Sequence, residues 1–250
     1  MSASVSAVSA ADRPDLWAAA EAGFLAVWPE YNNHGVDAGA YFGRLVPDHA
    51  PLQFLLCDDE TGQPVARGRS LPMRWDGTLD DLPAGIDAAG KRAVAGRDPN
   101  VLLALAAEVL PDARGRGLSR RVIAEMVERA RRAGLTDVVA PVRPMLKARY
   151  PLTPIEEYAS WRRGDEPFDP WMRTHTRLGA TIVRPAPRSM QISGSVAEWE
   201  SWTGMRFPET WDYVFPAGLS TVHIDCATDT GEYWEPNIWI IHEARGGPPR

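Results

Sequence analysis

Val109-Leu110-Pro111-Asp112-Ala113-Arg114-Gly115-Arg116-Gly117-Leu118-Ser119 is the stretch on which the fold of this 250-residue chain turns. Ahead of it, Val101 to Val109 is a nearly unbroken apolar run. It follows Pro99-Asn100 and is too short for a convincing helix, so it reads as a buried central strand. Behind the stretch, from Ser119, residues Val122, Ile123, Met126, Val127 and Ala130 line one helical face while arginine and glutamate hold the other. Arg131 and Arg132 suit the negative end of that helix's dipole, and Gly134 suits the position after its last turn. Asp137 to Val142 reads as another strand. Strand, helix and strand in this order imply a right-handed crossover and an α/β fold.

The connection itself carries chemistry. Two glycines at a helix start let main-chain N–H groups approach an anion, and the helix dipole adds about half a positive charge there. Phosphate or pyrophosphate is the natural guest of Arg114-Gly115-Arg116-Gly117-Leu118-Ser119. No Gly-Lys-Ser/Thr follows, so this is not a Walker loop, and Arg120 occupies the third glycine position of a dinucleotide fingerprint.

Outward from this unit, residues 15–28 show helical periodicity through Leu16, Trp17, Ala20, Phe24, Val27 and Trp28, and a second short helix covers residues 36–45. Residues 52–57 and 64–70 form a hairpin around Asp58-Asp59-Glu60-Thr61-Gly62. Residues 74–100 read as a loop with room for one helix. Further on, helices are expected at 154–163, 171–178 and 195–202, and strands at 181–184, 190–193, 222–225 and 237–242. Four prolines between 145 and 170 mark that segment as an inserted loop.

Composition narrows the functional classes. Hydrophobic residues are 44% and charged residues 24%, which fits a globular chain able to bury a core. A net charge of −6 argues against general binding to nucleic acid. Only two cysteines occur, Cys57 and Cys226, without metal-ligand spacing, so neither a disulfide framework nor a metal site is expected and a reducing cytoplasm fits. No apolar run approaches the roughly 18 residues that span a bilayer, so no membrane partner is expected. Neither His-Glu-x-x-His nor Gly-x-Ser-x-Gly is present.

The strand-turn-helix from Val101 to Val142 resembles the signature of the GNAT superfamily of acyl-CoA-dependent N-acyltransferases, whose Arg/Gln-x-x-Gly-x-Gly/Ala turn holds the coenzyme A pyrophosphate. Arg114 and Gly117 match, and Ser119 stands at the last small position. His175-Thr176-Arg177-Leu178-Gly179-Ala180 looks like the family's closing Tyr-x-x-Leu-Gly-Phe. The resemblance implies a mixed, splayed sheet flanked by helices, with acetyl-CoA as co-substrate and a small-molecule amine as acceptor. The implied domain covers residues 13–194, after a flexible start at 1–12 and before a C-terminal extension at 195–245 packed on it and a disordered tail at 246–250.

The same resemblance implies site residues. Val109, Leu110, Arg114, Gly115, Arg116, Gly117, Leu118 and Ser119 would hold the coenzyme, with a main-chain N–H near Leu110 polarising the thioester carbonyl. Glu108 is the first candidate for the base that deprotonates the amine, although strand alternation can instead aim it at a salt bridge. His175 falls where the family's tyrosine protonates the departing thiolate, or else it packs as an ordinary helix residue. Tyr158, Trp161 and Trp171, set among carboxylates, offer an aromatic wall for a cationic amine or else belong to a structural loop with buried aromatics, and Tyr31 and Asn32 form the opposite wall or else a helix stop with a turn. Tyr233-Trp234-Glu235-Pro236-Asn237 is either a pocket contribution or an edge-strand cluster. Transfer of another acyl group, transfer onto a hydroxyl, and a non-catalytic acyl-CoA-binding module are the competing readings.

Overall fold

The computed structural model describes residues 4–244. Strand β1 (Val5–Ser9) pairs antiparallel with β2 (Phe54–Asp58), in register from Val5 opposite Asp58 to Ser9 opposite Phe54. Within the start expected to be flexible, residues 5–9 are therefore a sheet edge. Its signal was missed because Ser, Ala and Val are too small to announce a strand without its partner. The hairpin of β2 and β3 (Pro64–Met73) turns on Gly62 at φ +70 and on the Asp58 carboxylate, which accepts from the amides of Glu60 and Thr61.

Next come β4 (Val101–Val109) and β5 (Asp137–Val142), the parallel pair joined by the crossover helix. Two-residue strands β6 (Arg162–Arg163) and β7 (Glu166–Pro167) form a separate ribbon. The long strands β8 (Thr181–Gly194) and β11 (Thr230–Glu243), with β9 (Trp211–Tyr213) and β10 (Val222–Asp225), complete the main sheet, whose order is β1-β2-β3-β4-β5-β11-β10-β9 with β8 on β11.

Helices cover both faces. On one lie α1 (Pro14–Leu25), α2 (Ala38–Phe42), α3 (Leu45–His49) and α4 (Ile86–Ala95), packed against Leu55, Leu71, Leu103 and Val139. On the other lie α5 (Leu118–Arg132), α6 (Ile155–Ser160) and α7 (Pro170–Arg177). There Val122, Met126 and Ala130 of α5 meet Leu102 and Val138, as the one-residue offset from Leu103 and Val139 requires. Helix α8 (Val196–Thr203) opens with a capping box between Ser195 and Glu198 and ends at Gly204, φ +68.

Three further expectations are corrected. The tail at 195–245 is not an extension laid on a finished domain, because β11 pairs with β5 from Ile238 opposite Val142 to Glu243 opposite Asp137. Only the part between α8 and β10 stands outside the sheet's centre. The segment at 145–170 is not merely a loop, since Ile155 and Tyr158 of α6 are buried against Ala140, Val142, Ile238 and Ile240. The two strands expected at 181–184 and 190–193 are one, β8, which tolerates Pro185 because, among the described residues, the strand it pairs with there is β11 alone. The tail at 246–250 lies outside the described residues.

Candidate active site

Strands β4 and β5 share two register pairs, Leu102 with Val138 and Leu103 with Val139, and then part. Beyond that point Ala104, Leu105, Ala106, Ala107 and Val109 on one side and Ala140 to Val142 on the other line a cleft of about 890 Å³. A register shift between Arg69 and Ser70 leaves Leu105 as an extra residue in β4, a bulge where the strands separate. Leu110 donates its amide to the Val65 carbonyl at 3.1 Å. Successive N–H groups of a strand alternate sides, so those of Ala107 and Val109 point into the gap. The expectation for Leu110 is corrected accordingly: its N–H is spent on β3, and its side chain packs toward α1.

At the open end of the gap the turn presents its main chain. Gly115 and Gly117 sit at φ +80 and +75, and a Cβ on either would meet nothing within 4 Å. Gly117 is the N-cap of α5, which has no side-chain cap. Among the described residues, no hydrogen bond within the protein takes the amides of Gly115, Arg116, Gly117, Leu118 or Ser119. Those are the orphan donors of a helix start, aimed where the dipole favours an anion. Arg114, Gly115, Gly117, Leu118 and Ser119 line the cleft. The Arg116 side chain does not, being paired with Asp58 at 2.5 Å.

The far half of the cleft is built from paired side chains. Arg143, just past β5, binds Glu235 of β11 through Nε and donates from Nη2 to the Tyr31 hydroxyl at 3.0 Å and the Ala217 carbonyl at 2.6 Å. Tyr233 donates to the other Glu235 oxygen at 2.6 Å. Burial alone would lower the Arg143 pKa, but Glu235 outweighs it and raises it. Burial and the same carboxylate raise that of Tyr31. Ala217, at φ +63, holds a conformation that L residues rarely adopt.

Glu108 is buried at 1% exposure and does not line the cleft. Its carboxylate accepts from Arg67 Nε at 2.7 Å, Arg69 Nη2 at 3.0 Å and Trp28 Nε1 at 2.7 Å, while Arg67 also reaches Glu21. Burial pushes its pKa up, yet Arg69 and Arg67 overcome that and hold it below the ordinary glutamate value. A carboxylate clamped in this way is a weak proton acceptor. Two of its clamps, Trp28 and Arg69, do form cleft wall.

His175 lies in the cleft wall at 4% exposure, its Nδ1 2.8 Å from Nε2 of His242 on β11. Burial and His242 lower its pKa to about 3, and burial lowers that of His242 to about 4. Both rings are neutral at pH 7, so an imidazolium acid is not available there. Trp171 sets its ring edge against His175 at 4.4 Å and lines the cleft.

Of the other expected acceptor contacts, Asn32 lines the cleft, whereas Tyr31 stands behind it supporting Arg143. Tyr158 and Trp161 do not reach it. The Tyr158 hydroxyl donates to Asp169, and both rings pack with Tyr150 and Phe168 over α6. The amphipathic character of that segment feeds the core instead. Arg143 and His242 were missed in the sequence. A histidine in step with Ile238 and Ile240 on one strand face was the available signal for the second.

A mixed sheet whose central parallel strands part beside a helix-capping glycine turn is the framework of the GNAT acyltransferases, and this chain has that fold. It is an enzyme of the acyltransferase class. It is 29% identical over 269 aligned positions to the arginine N-acetyltransferase avaD of Aspergillus versicolor, a match covering 94% of this chain and 92% of the relative. Its structure is similar to the loading GNATL domain of CurA from Lyngbya majuscula, with TM-score 0.61 and 18% identity over 96% of this chain and 97% of that one. It is also similar to the GphF GNAT-like decarboxylase solved with isobutyryl-CoA, with TM-score 0.56 and 17% identity over 97% and 100%. No protein-family model matches the chain.

Proposed function

We propose that this enzyme moves an acetyl group from acetyl-CoA to a primary amine of a small molecule, directly within a ternary complex, and that the acceptor is arginine or an arginine-like amine. The observation that carries the reading is the parting of β4 from β5 beside five main-chain amides without an internal partner. The pyrophosphate would sit on the amides from Gly115 to Ser119, with the exposed Arg114 adding charge. The pantetheine arm would lie along the free edge of β4, and an N–H there, from Ala107 or Val109, would hold the negative charge that grows on the thioester oxygen. The acceptor half offers Asn32, Glu21 and the Arg143–Glu235 pair to a charged amine. The relative named for arginine supports that choice of acceptor. Glu108 holds Trp28 and Arg69 in place, and the ammonium proton leaves to water. The free thiols Cys57 and Cys226 support action in a reducing, cytoplasmic setting.

The reading is tested by incubating the protein with acetyl-CoA and a panel of amines that includes arginine, following thiol release and product mass. Thiol release that depends on the amine, with one acetyl gained on nitrogen, is expected. Tight coenzyme binding with no acyl release to any acceptor would make it a binding module, and acetyl gained on oxygen would change the reaction class. His175→Ala should lower turnover at least about tenfold with little change in coenzyme affinity.

A further inference from the structure

Where the cleft wall leaves polar side-chain atoms unpaired, they are chiefly donors. Among the described residues, the enclosed atoms without a partner that belong to cleft-lining side chains are nitrogens, those of Asn32, Arg69 and His175. The Asn32 amide nitrogen and Arg69 Nε can only donate. Arg143 adds a further donor that is not enclosed. Its Nε binds Glu235 and its Nη2 is shared by Tyr31 and Ala217, whereas among the described residues no acceptor takes Nη1. A planar guanidinium held on two of its three nitrogens has the third aimed for it. Glu235 is in turn fully engaged, with Arg143 on one oxygen and the Tyr233 hydroxyl on the other.

Arg143 also stands at the height of the chemistry. Counting on from Leu103 opposite Val139, and allowing for the extra residue Leu105, brings it level with Ala107 and Glu108 of β4. The amides of Ala107 and Val109, on which the thioester oxygen is placed above, flank that level. We infer that the acceptor is a free α-amino acid, with its α-carboxylate taken by Arg143 Nη1 and its α-nitrogen the one acetylated. The inference rests on the acyltransfer reading above and narrows its acceptor. A charge-assisted bond from guanidinium to carboxylate is roughly twice as strong as a neutral one. The α-nitrogen is separated from the carboxyl carbon by a single atom, so a carboxylate anchored at this height holds that nitrogen, rather than a side-chain one, beside the acyl carbon. There it bonds to the acyl carbon, and the C–S bond breaks with its electrons going to sulfur. The proton that nitrogen loses to water balances the one the thiolate takes up. For arginine, the side-chain cation falls to Glu21, the cleft-lining carboxylate that gives only one oxygen to Arg67.

The test compares kcat/KM for arginine, and for any other amino acid the enzyme acetylates, with kcat/KM for the methyl ester and for the decarboxylated amine. Fragment masses of the product locate the acetyl group. The free acid should exceed both analogues by at least about tenfold, with acetyl on the α-nitrogen. Equal use of acid, ester and amine overturns the inference, and so does acetyl on a side-chain nitrogen. Arg143→Gln should cut the preference for the acid over its ester to below about threefold. A residue that only supports the fold would lower every acceptor together, so an unchanged ratio in the variant overturns the inference too. The comparison made on the unaltered protein decides the matter even where the variant does not fold. Failure of the acyltransfer reading looks different: no acetyl then reaches any amine, with or without a carboxylate, and the inference falls with it. Acetyl transfer that ignores the carboxylate leaves that reading standing and removes the inference alone.

Discussion

The two halves of the cleft solve opposite problems. The coenzyme half is made of main chain left open: unpaired amides from Gly115 to Ser119, glycines with space around them, and a strand edge released by a bulge. The acceptor half is made of side chains already paired with one another, Arg143 with Glu235 and Tyr31, and Glu108 with Arg67, Arg69 and Trp28. On the proposed function the first half takes the coenzyme, and a few local residues suffice for it. The second takes the acceptor, and its pairs join residues far apart in the chain.

If the acceptor half is a lattice of charges, breaking it should cost most. Glu108→Gln leaves Arg67 and Arg69 without their carboxylate and should lower folding stability by about 3–5 kcal/mol in denaturant titration, with the pH–rate profile keeping its shape. A profile that loses its acidic limb would return Glu108 to the role of base. Glu235→Gln should raise the acceptor KM at least about tenfold, with calorimetric coenzyme affinity unchanged, because Glu235 holds Arg143 and Tyr233 and touches nothing in the glycine turn. The coenzyme half should respond separately. Gly117→Val puts a branched side chain at φ +75, where strain of about 1–3 kcal/mol is expected, and should weaken coenzyme binding roughly tenfold in calorimetry. The smallest effect concerns the histidines. Their folded pKa values of about 3 and 4 lie below the ordinary 6.5, so the unfolded chain takes up protons first as pH falls. Stability should be full above about pH 6.5 and decline toward pH 4, with a shallower decline in His175→Ala.

The same contrast governs what could be read in advance. The strands at Val101–Val109 and Asp137–Val142 occur with the expected boundaries, because an apolar run and an amphipathic helix are local patterns. The turn was legible for that reason as well. The place of β11 was not: its contact with β5 spans about a hundred residues, and no local pattern encodes a partner. Arg67 and Arg69, two apart on β3, share a face with Glu108, yet their meeting depends on the register of β3 against β4. The aromatic residues at 150–171 misled because large rings serve a core as well as a pocket, and only Trp171 turned to the cleft.

Ala217 lies in the connection between α8 and β10, and its carbonyl takes hydrogen bonds from both Tyr31 and Arg143. Among the described residues, that connection is thus hydrogen-bonded to the Arg143 side of the cleft and not to the glycine turn. On the proposed function the two are separately exchangeable in evolution: a lineage that lengthens, shortens or rewrites this stretch would retune which amine is welcomed while its means of gripping the donor stays intact.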